Sequence, residues 1–338
     1  MLSPVFMRFY FWFFLIVVLC FGCKSKPINL PPIESVLSDV TVGQITDEIA
    51  KDNVVKGPAV GVSGERTAQW ERFEKLKSQA SDKQLLALTR HDNPTVRCYA
   101  FAAIVDRGTY DAFPILLEHL HDSVQVMVLN GCIGENVRVG DYFFPIFFSE
   151  KSYLEKDAEK RKSESRIIDS LFLVDININL DYRWKCLDRM NVSPEKYKWI
   201  KKLALIKNNR EAVVILAKYK KSEDRYLISN LLEDSNYIVQ RYGLRAVVNY
   251  SDPSFFPFLR KILNSKLVHG SEENNNNLDI LYNAIVQYKS DQSRKLLDAV
   301  LNLSEDQKLI LHSDYIYQAV NSYPDSIYNG LKYRHLRF

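Results

Sequence analysis

The stretch NPTVRCYAFAAIVDRGTYDAFPILLEHL, residues 93–120, decides the fold of this chain because it recurs later in the same sequence. It aligns without a gap on residues 236–263, NYIVQRYGLRAVVNYSDPSFFPFLRKIL, at a constant offset of 143 residues. Self-similarity of this kind is the sequence signature of a repeat architecture. The identical pairs are Asn93/Asn236, Val96/Val239, Tyr99/Tyr242, Ala103/Ala246, Val105/Val248, Phe113/Phe256, Pro114/Pro257, Leu116/Leu259 and Leu120/Leu263.

Each copy predicts a pair of amphipathic helices. In the first segment, apolar or small residues recur at positions i, i+3, i+4, i+7 and i+8, a spacing that places them on one buried helical face. Asn93 and Pro94 suit the N-cap and the first position of that helix. A second apolar stripe at Phe113, Leu116 and Leu120 predicts the second helix. The face of the first helix comprises Val96, Tyr99, Ala100, Ala103 and Ile104 in one copy, and Val239, Tyr242, Gly243, Ala246 and Val247 in the other.

A further copy follows 38 residues after the second. Helix pairs that repeat at such a period indicate an α-solenoid, because one pair cannot bury its apolar face without a neighbour. Residues 67–321 hold roughly six to seven units of this length. The repeat is faint between residues 135 and 205, where the sequence indicates helices without clear boundaries. The matched residues of the further copy are Ala246/Ala284, Val248/Val286, Tyr250/Tyr288, Leu259/Leu297, Leu263/Leu301 and Asn264/Asn302.

The first copy resembles a HEAT repeat. The resemblance is carried by the turn and helix start DNPTVR, residues 92–97, followed by small residues on the buried face, and it covers residues 82–130 and 210–302. It implies an all-α fold, an armadillo-type α-solenoid of HEAT-like two-helix repeats whose extended surface binds another macromolecule. HEAT units often have an arginine at the position of Arg97. The later copy has Gln240 at this position, so the resemblance does not imply a series of equivalent arginine contacts there.

The N-terminus is an export segment. Arg8 precedes an unbroken apolar run over residues 9–22, and Cys23 follows at once. This pattern resembles a bacterial lipoprotein signal peptide, which implies cleavage before Cys23, diacylglycerol on its thiol and a second acyl chain, commonly palmitate, on the new amino group. Several chains give a stable membrane anchor. Lys24 stands where an inner-membrane retention signal has Asp, so we expect the outer membrane. An uncleaved anchor is the alternative.

The sequence therefore predicts four segments. Between the export segment and the solenoid, several prolines and glycines and no sustained helical stripe indicate a tether that spaces the body from the membrane. Residues 38–42 alternate, which leaves strand pairing or docking on the first helix open. The segments are the signal peptide 1–22, the lipidated Cys and Pro/Gly-rich linker 23–66, the HEAT-like α-solenoid 67–321 and a C-terminal capping segment 322–338.

Composition bounds the function. Of the 338 residues 46% are hydrophobic, which is ample for a continuous core. The net charge of +4 is small and the charges interleave, so no nucleic-acid partner is expected.

Beyond the export segment only three cysteines remain, Cys98, Cys132 and Cys186. They are too few for a disulfide scaffold, and we interpret them as packing residues. His119 and His121 lack a third ligand at suitable spacing, so neither a metal nor a cofactor is expected.

One stretch departs from the even distribution of charge. Between residues 195 and 221 nine cations are opposed by only Glu195 and Glu211, and aromatic residues interleave with them. Such a patch is a candidate site for an acidic partner or a phosphorylated headgroup. The same pattern also fits a solvated, Lys-rich helix face. The cations are Lys196, Lys198, Lys201, Lys202, Lys207, Arg210, Lys218, Lys220 and Lys221.

No segment carries a catalytic signature. The sequence thus predicts a membrane-anchored envelope lipoprotein that acts as a HEAT-repeat protein-binding scaffold and not as an enzyme. Its partners are the membrane, through the lipid, and another envelope protein or polymer on the periplasmic or surface-exposed side. Two alternatives stay open. One is a HEAT-like enzyme or enzyme-accessory protein with a concave-face pocket. The other is a cytoplasmic solenoid on an uncleaved anchor that binds an anionic partner.

Overall fold

The computed structural model describes residues 31–149, 158–206, 209–268, 276–303 and 310–331. The chain divides into two compact units, residues 1–155 and 156–338, which we name unit 1 and unit 2. The described part is mostly helical and contains one small three-stranded sheet. The export segment with Cys23 lies outside the described residues, and so does Lys207. Among the described helices, none is both long and apolar enough to cross a bilayer.

Unit 1 is built around one helix, α5. This helix contacts α2, α3, α4, α7 and strand β1, and most of its side chains are buried. The helices are α1 Ile33–Leu37, α2 Val40–Asp52, α3 Ala68–Gln79, α4 Asp82–Leu88, α5 Pro94–Arg107, α6 Phe113–Glu118 and α7 Val139–Phe147. The strands are β1 Val54–Val60, β2 Gln125–Gly131 and β3 Ile133–Arg138.

The mostly helical architecture agrees with the all-α prediction, and the small sheet of unit 1 adds three strands that the sequence analysis did not predict. Strand β1 pairs in parallel with β2, with Val54 opposite Met127, and β2 pairs antiparallel with β3 in a hairpin. The side chain of Tyr99 ties α5 to β1: its hydroxyl accepts from the amide of Lys56 at 2.8 Å and donates to the Lys56 carbonyl at 3.0 Å. No local period reveals this sheet, because β1 and its partner β2 lie far apart along the chain.

Two helices and a strand, which the sequence analysis did not predict, lie within the segment 23–66. Residues 33–52 form α1 and α2, and β1 follows directly. Helix α2 begins at Val40, where the carboxylate of Asp39 accepts hydrogen bonds from the amides of Thr41 and Val42. Its apolar side chains at Val42, Ile45 and Ile49 are buried. They are spaced i, i+3 and i+7, so a helical stripe is present within a segment that the flanking prolines and glycines mark as a tether.

Unit 2 alternates helices that contact each other along the chain. Helix α9 contacts α11, α11 contacts α13, α13 contacts α15 and α15 contacts α17, while α10, α12, α14 and α16 each pack on the helix that follows. The helices are α8 Ala158–Val174, α9 Tyr182–Arg189, α10 Pro194–Ile206, α11 Arg210–Ala217, α12 Arg225–Glu233, α13 Tyr237–Asn249, α14 Phe256–Val268, α15 Leu278–Val286, α16 Asp291–Leu303 and α17 Ile310–Ser322. Short 3-10 turns span Ser222–Asp224, Pro253–Phe255 and Ser326–Tyr328.

The two copies of the repeat begin their helices in the same way. The side chain of Asn93 accepts from the amides of Thr95 and Val96 at the start of α5, and Asn236 accepts from the amide of Ile238 at the start of α13. The predicted apolar face is buried in both helices, with the exception of Tyr242, which is half-buried. The spacing therefore predicts correctly which side of each helix packs on its unit.

Polar side chains on α13 tie it to both neighbouring helices of unit 2. Arg245 pairs with Glu211 on α11 at 3.0 Å, and Arg241 pairs with Asp279 on α15 at 2.7 Å. These pairs are partly exposed, so each contributes at most about 1 kcal/mol, and their main effect is to fix the register of adjacent helices. Asn249 adds a direct bond, since its Nδ2 donates to the carbonyl of Val214 on α11.

Candidate binding sites

The cationic stretch of unit 2 spans α10, α11 and the turn after α11. Helix α10 buries Ile200, Leu203 and Ala204, so Lys198 and Lys202 lie exposed on its other side. After α11 the chain reverses through Lys220, which has a φ of 52°. That left-handed turn brings Lys221 back toward α10, where its Nζ lies 5.3 Å from the ring centroid of Tyr197.

Three of the predicted site cations are taken up by contacts inside unit 2. Lys201 pairs with Asp224 at 2.9 Å, and Lys218 pairs with Asp188 at 2.8 Å. Lys196 donates to the carbonyl of Asn191 at 3.1 Å. Asp224 is only 3% exposed, so Lys201 neutralises a buried carboxylate and has a structural role. These three members of the candidate patch therefore make contacts within unit 2.

Five cations remain exposed. Within the described part of the chain, none of them has a carboxylate within ion-pair distance, so their charge faces solvent. They lie on α10, at the start of α11 and in the turn that follows it, and Lys221 reaches the ring of Tyr197 on α10. We name this the cationic surface of unit 2, and it consists of Lys198, Lys202, Arg210, Lys220 and Lys221.

Tyr197 borders the cationic surface. Its hydroxyl donates to Asp224 at 2.8 Å and accepts from Lys201 Nζ at 3.1 Å, and its ring lies 5.3 Å from that of Tyr219. Burial raises the pKa of Tyr197 to about 12; Lys201 opposes this rise, and acceptance by Asp224 and Glu223 adds to it. The phenol therefore stays neutral, and the ring offers a flat contact beside the exposed lysines.

A second candidate site, which the sequence analysis does not name, lies within unit 1. Helices α3, α5 and α7 enclose an open cavity of about 290 Å³. The spacing of its lining residues shows that each helix contributes one face, with residues one or two turns apart. The cavity is lined by Trp70, Phe73, Glu74 and Lys77 of α3, by Tyr99, Ala102, Val105 and Asp106 of α5, and by Tyr142, Ile146 and Ser149 of α7 and its end.

The polar part of this cavity is an ion-pair triad. Lys77 Nζ lies 2.9 Å from Glu74 Oε1 and 2.9 Å from Asp106 Oδ2, which joins α3 to α5. The same ammonium lies 5.3 Å from the ring centroid of Phe73. Burial lowers the pKa of Lys77, but the hydrogen bonds and charges of Asp106 and Glu74 outweigh it and leave the pKa above its ordinary value. Lys77 is therefore held as a cation and is not suited to act as a base.

Four aromatic side chains belong to the lining: Trp70, Phe73, Tyr99 and Tyr142. Phe73 lies between two of them, with its ring 4.8 Å from Trp70 and 4.9 Å from Tyr99. Tyr99 is 1% exposed, and its hydroxyl is fully used by the backbone of β1. Tyr142 differs, because none of the described residues forms a hydrogen bond with its hydroxyl. Burial raises the pKa of Tyr142, so the hydroxyl keeps its proton.

His119 is structural. It ends α6, and its Nδ1 lies 3.1 Å from Asp122, while its Nε2 is buried without a hydrogen-bond partner. A buried Nε2 cannot reach a substrate, so the pair is not an accessible catalytic dyad. In the described segments, no group of three His, Cys, Asp or Glu residues could hold a metal ion.

The cysteines differ from one another in exposure. Cys98 and Cys186 are buried, as the interpretation as packing residues predicts, but Cys132 is exposed at the turn between β2 and β3. Burial raises the pKa of the Cys98 thiol, and it raises that of Cys186 to about 11. Both buried thiols are therefore protonated and unreactive.

Comparison of the chain with protein-family models, with curated proteins and with solved structures gives no match. The sites consequently rest on their own geometry. One signal in the sequence points to the cavity: Trp70, Phe73, Glu74 and Lys77 share one face of α3 at spacings of three and four residues. It is a weak signal, because an alternation of aromatic and charged residues on a helix is also typical of an ordinary half-exposed face.

Proposed function

We propose that this protein is an envelope lipoprotein, anchored through Cys23, that acts as a HEAT-like helical scaffold and binds an acidic partner through the cationic surface of unit 2. The partner is another envelope protein or an anionic envelope polymer. The lipid holds the scaffold at the membrane, and the outer membrane is the membrane that Lys24 favours. The function is binding, without a chemical step.

The observation that carries this proposal is the uncompensated charge of the cationic surface. Lys198 and Lys202 are exposed one turn apart on α10, and Lys220 and Lys221 follow α11. Exposed charges of one sign attract an oppositely charged partner and increase its rate of association. In the same stretch, Lys201 is paired with the buried Asp224, so the exposed set is a distinct group.

The scaffold part of the proposal is supported by the order of helix contacts in unit 2. Every second helix from α9 to α17 contacts the next in that series, and the intervening helices pack alongside. Stacked helix pairs of this kind characterise α-solenoids, whose extended surfaces serve as binding sites. The extension to unit 1 rests on the repeat shared by α5 and α13.

The test is photo-crosslinking in intact cells. We expect p-benzoylphenylalanine at position 198 or 202 to give a discrete adduct of higher mass. The same residue at position 295, an exposed lysine on α16, is the matched control and should give none. Reversing Lys220 and Lys221 to Glu should abolish the adduct at position 198, because it removes two of five exposed cations. Equal adducts at positions 198 and 295, or an adduct that survives the charge reversal, would contradict the proposal.

A further inference from the structure

We propose that the cavity of unit 1 binds a small, uncharged, mainly apolar molecule that carries one hydrogen-bonding group. Its volume of about 290 Å³ lies at the lower end of the usual range for small-molecule pockets, roughly 300–1,000 Å³. A peptide helix, about 10 Å in diameter, is too wide for a cavity of this size. The chemistry of the occupant follows from the charged, apolar and hydroxyl groups that line the cavity.

The charged side chains of the lining disfavour a charged ligand. Lys77 Nζ lies 2.9 Å from a carboxylate oxygen of Glu74 and 2.9 Å from one of Asp106, and it lies 5.3 Å from the ring centroid of Phe73. An anion would have to displace a carboxylate from this ammonium, and a cation would have to displace the ammonium from the carboxylates. A charged ligand also loses its hydration on entry, which is costly without a new ion pair. An uncharged ligand leaves the triad undisturbed.

The partly exposed surface of the cavity is mainly apolar. Ala102 and Val105 of α5 and Ile146 of α7 line it, and the indole ring of Trp70 on α3 belongs to the same lining. Burial of apolar surface contributes about 25 cal/mol per Å², so these side chains favour an apolar body. Aromatic rings prefer offset-stacked or edge-to-face neighbours, and Trp70 therefore favours a ligand that is itself a flat ring.

Tyr142 supplies a polar group that can orient the ligand. It is partly exposed and lines the cavity, and its hydroxyl has no hydrogen-bond partner among the described residues. The hydroxyl of Tyr99, in contrast, bonds to the amide and the carbonyl of Lys56. A protonated phenol can both donate and accept, so a hydroxyl or a carbonyl on the ligand would give Tyr142 its partner. This inference is independent of the proposed scaffold function, because it concerns unit 1 alone.

The test is isothermal titration of the purified protein with three probes that share a naphthalene ring and differ in charge. Near neutral pH, 2-naphthol is uncharged, 2-naphthoate is an anion and 2-(aminomethyl)naphthalene is a cation. We expect 2-naphthol to bind at least about tenfold more tightly than either ion, because only the ions must compete with the Lys77 triad. Equal affinities for the three probes, tighter binding of either ion, or an absence of 2-naphthol binding would overturn the proposal.

Substitutions locate the binding. Tyr142→Phe removes one oxygen and keeps the ring, and we expect it to weaken 2-naphthol binding severalfold. Tyr110→Phe is the matched control, because Tyr110 is also partly exposed in unit 1 but lies outside the lining, between α5 and α6. Ala102→Leu fills part of the cavity and should weaken binding at least about tenfold. Equal effects at positions 142 and 110, or full binding by Ala102→Leu, would overturn the assignment. Far-UV circular dichroism verifies that each variant is folded.

Discussion

Arg97 closes the turn that precedes its own helix. Its guanidinium donates to the carbonyls of His91 and Asp92 at 2.7 and 2.8 Å and binds both oxygens of Asp122 at 2.8 and 3.1 Å. Asp122 in turn contacts Nδ1 of His119. One arginine thus joins the start of α5 to the segment after α6 through bidentate, charge-assisted hydrogen bonds, which are the strong class.

Asp122→Asn removes the charge that pairs with Arg97, and we expect it to destabilise the fold. Both partners are largely buried, so the change leaves the charge of Arg97 uncompensated, and we expect the free energy of unfolding to fall by about 3 kcal/mol. Urea denaturation followed by circular dichroism measures it. The control is Glu118→Gln, which breaks the half-exposed pair between Arg90 and Glu118 and should cost less than about 1 kcal/mol. Equal costs would refute the assigned role.

The same variant has an expected pH dependence. Burial raises the pKa of Asp122, but hydrogen bonds from His119 and Arg97 prevail and hold it below its ordinary value of 3.8. A carboxyl whose pKa is lower in the folded than in the unfolded state stabilises the fold above the unfolded value and loses that contribution as the pH falls through the folded one. The stability difference between the native protein and Asp122→Asn should therefore be full above about pH 4 and shrink below it.

The contacts of Gln240 can be compared with those of Arg97, its counterpart in the first copy of the repeat. It stands at the position of Arg97, and its Nε2 donates to the carbonyls of Leu232 and Asp234. Asp234 corresponds to His91 at the repeat offset, so the contact that closes the turn persists. The ion pair does not, because Ser265 stands where the first copy has Asp122. Sequence indicates the turn, but the change of partner becomes clear only from the contacts.

At the scale of the elements, the close contact of α12 with α13 depends on Gly243. A Cβ at this position would lie 2.8 Å from the amide nitrogen of Leu232 and 3.0 Å from the carbonyl carbon of Leu231. Both are backbone atoms near the end of α12, and they cannot move without moving the helix. The first copy has Ala100 here, fully buried, so the two copies differ in how closely the preceding segment approaches.

We therefore expect Gly243→Ala to destabilise the fold. The added methyl group forces the two helices apart at a cost of about 1–3 kcal/mol, which exceeds the gain of roughly 0.5–1 kcal/mol from replacing a helical glycine. Thermal unfolding followed by circular dichroism measures the net effect. Gly330→Ala is the matched control: its Cβ would meet only the end of the flexible Arg294 side chain, so it should be neutral or stabilising. A stabilising Gly243→Ala would contradict the close packing.

The elements also show why part of the fold was predictable and part was not. The caps and buried faces of α5 and α13 follow from local spacing, and the structure confirms both. The sheet needs strand β1 to meet β2 across the intervening helices, which no local pattern encodes. Helix α2 was missed because prolines and glycines around it dominated the interpretation of the segment. The cavity was missed because convergence of Glu74 and Asp106 on Lys77 is a tertiary property.

For the whole molecule, the proposal assigns separate roles to three regions. The lipid at Cys23 anchors the chain, unit 1 holds the cavity, and unit 2 presents the cationic surface.

Fatty-acid labelling tests the central proposal most directly. Cells that produce the native chain or Cys23→Ala are grown with a labelled fatty acid, and the mature protein is weighed intact by mass spectrometry. We predict a labelled product that lacks residues 1–22 and carries the mass of its acyl chains, and no label on Cys23→Ala. An unlabelled native protein that retains its N-terminus would contradict the envelope lipoprotein and direct the search for partners to the cytoplasmic side of an uncleaved anchor.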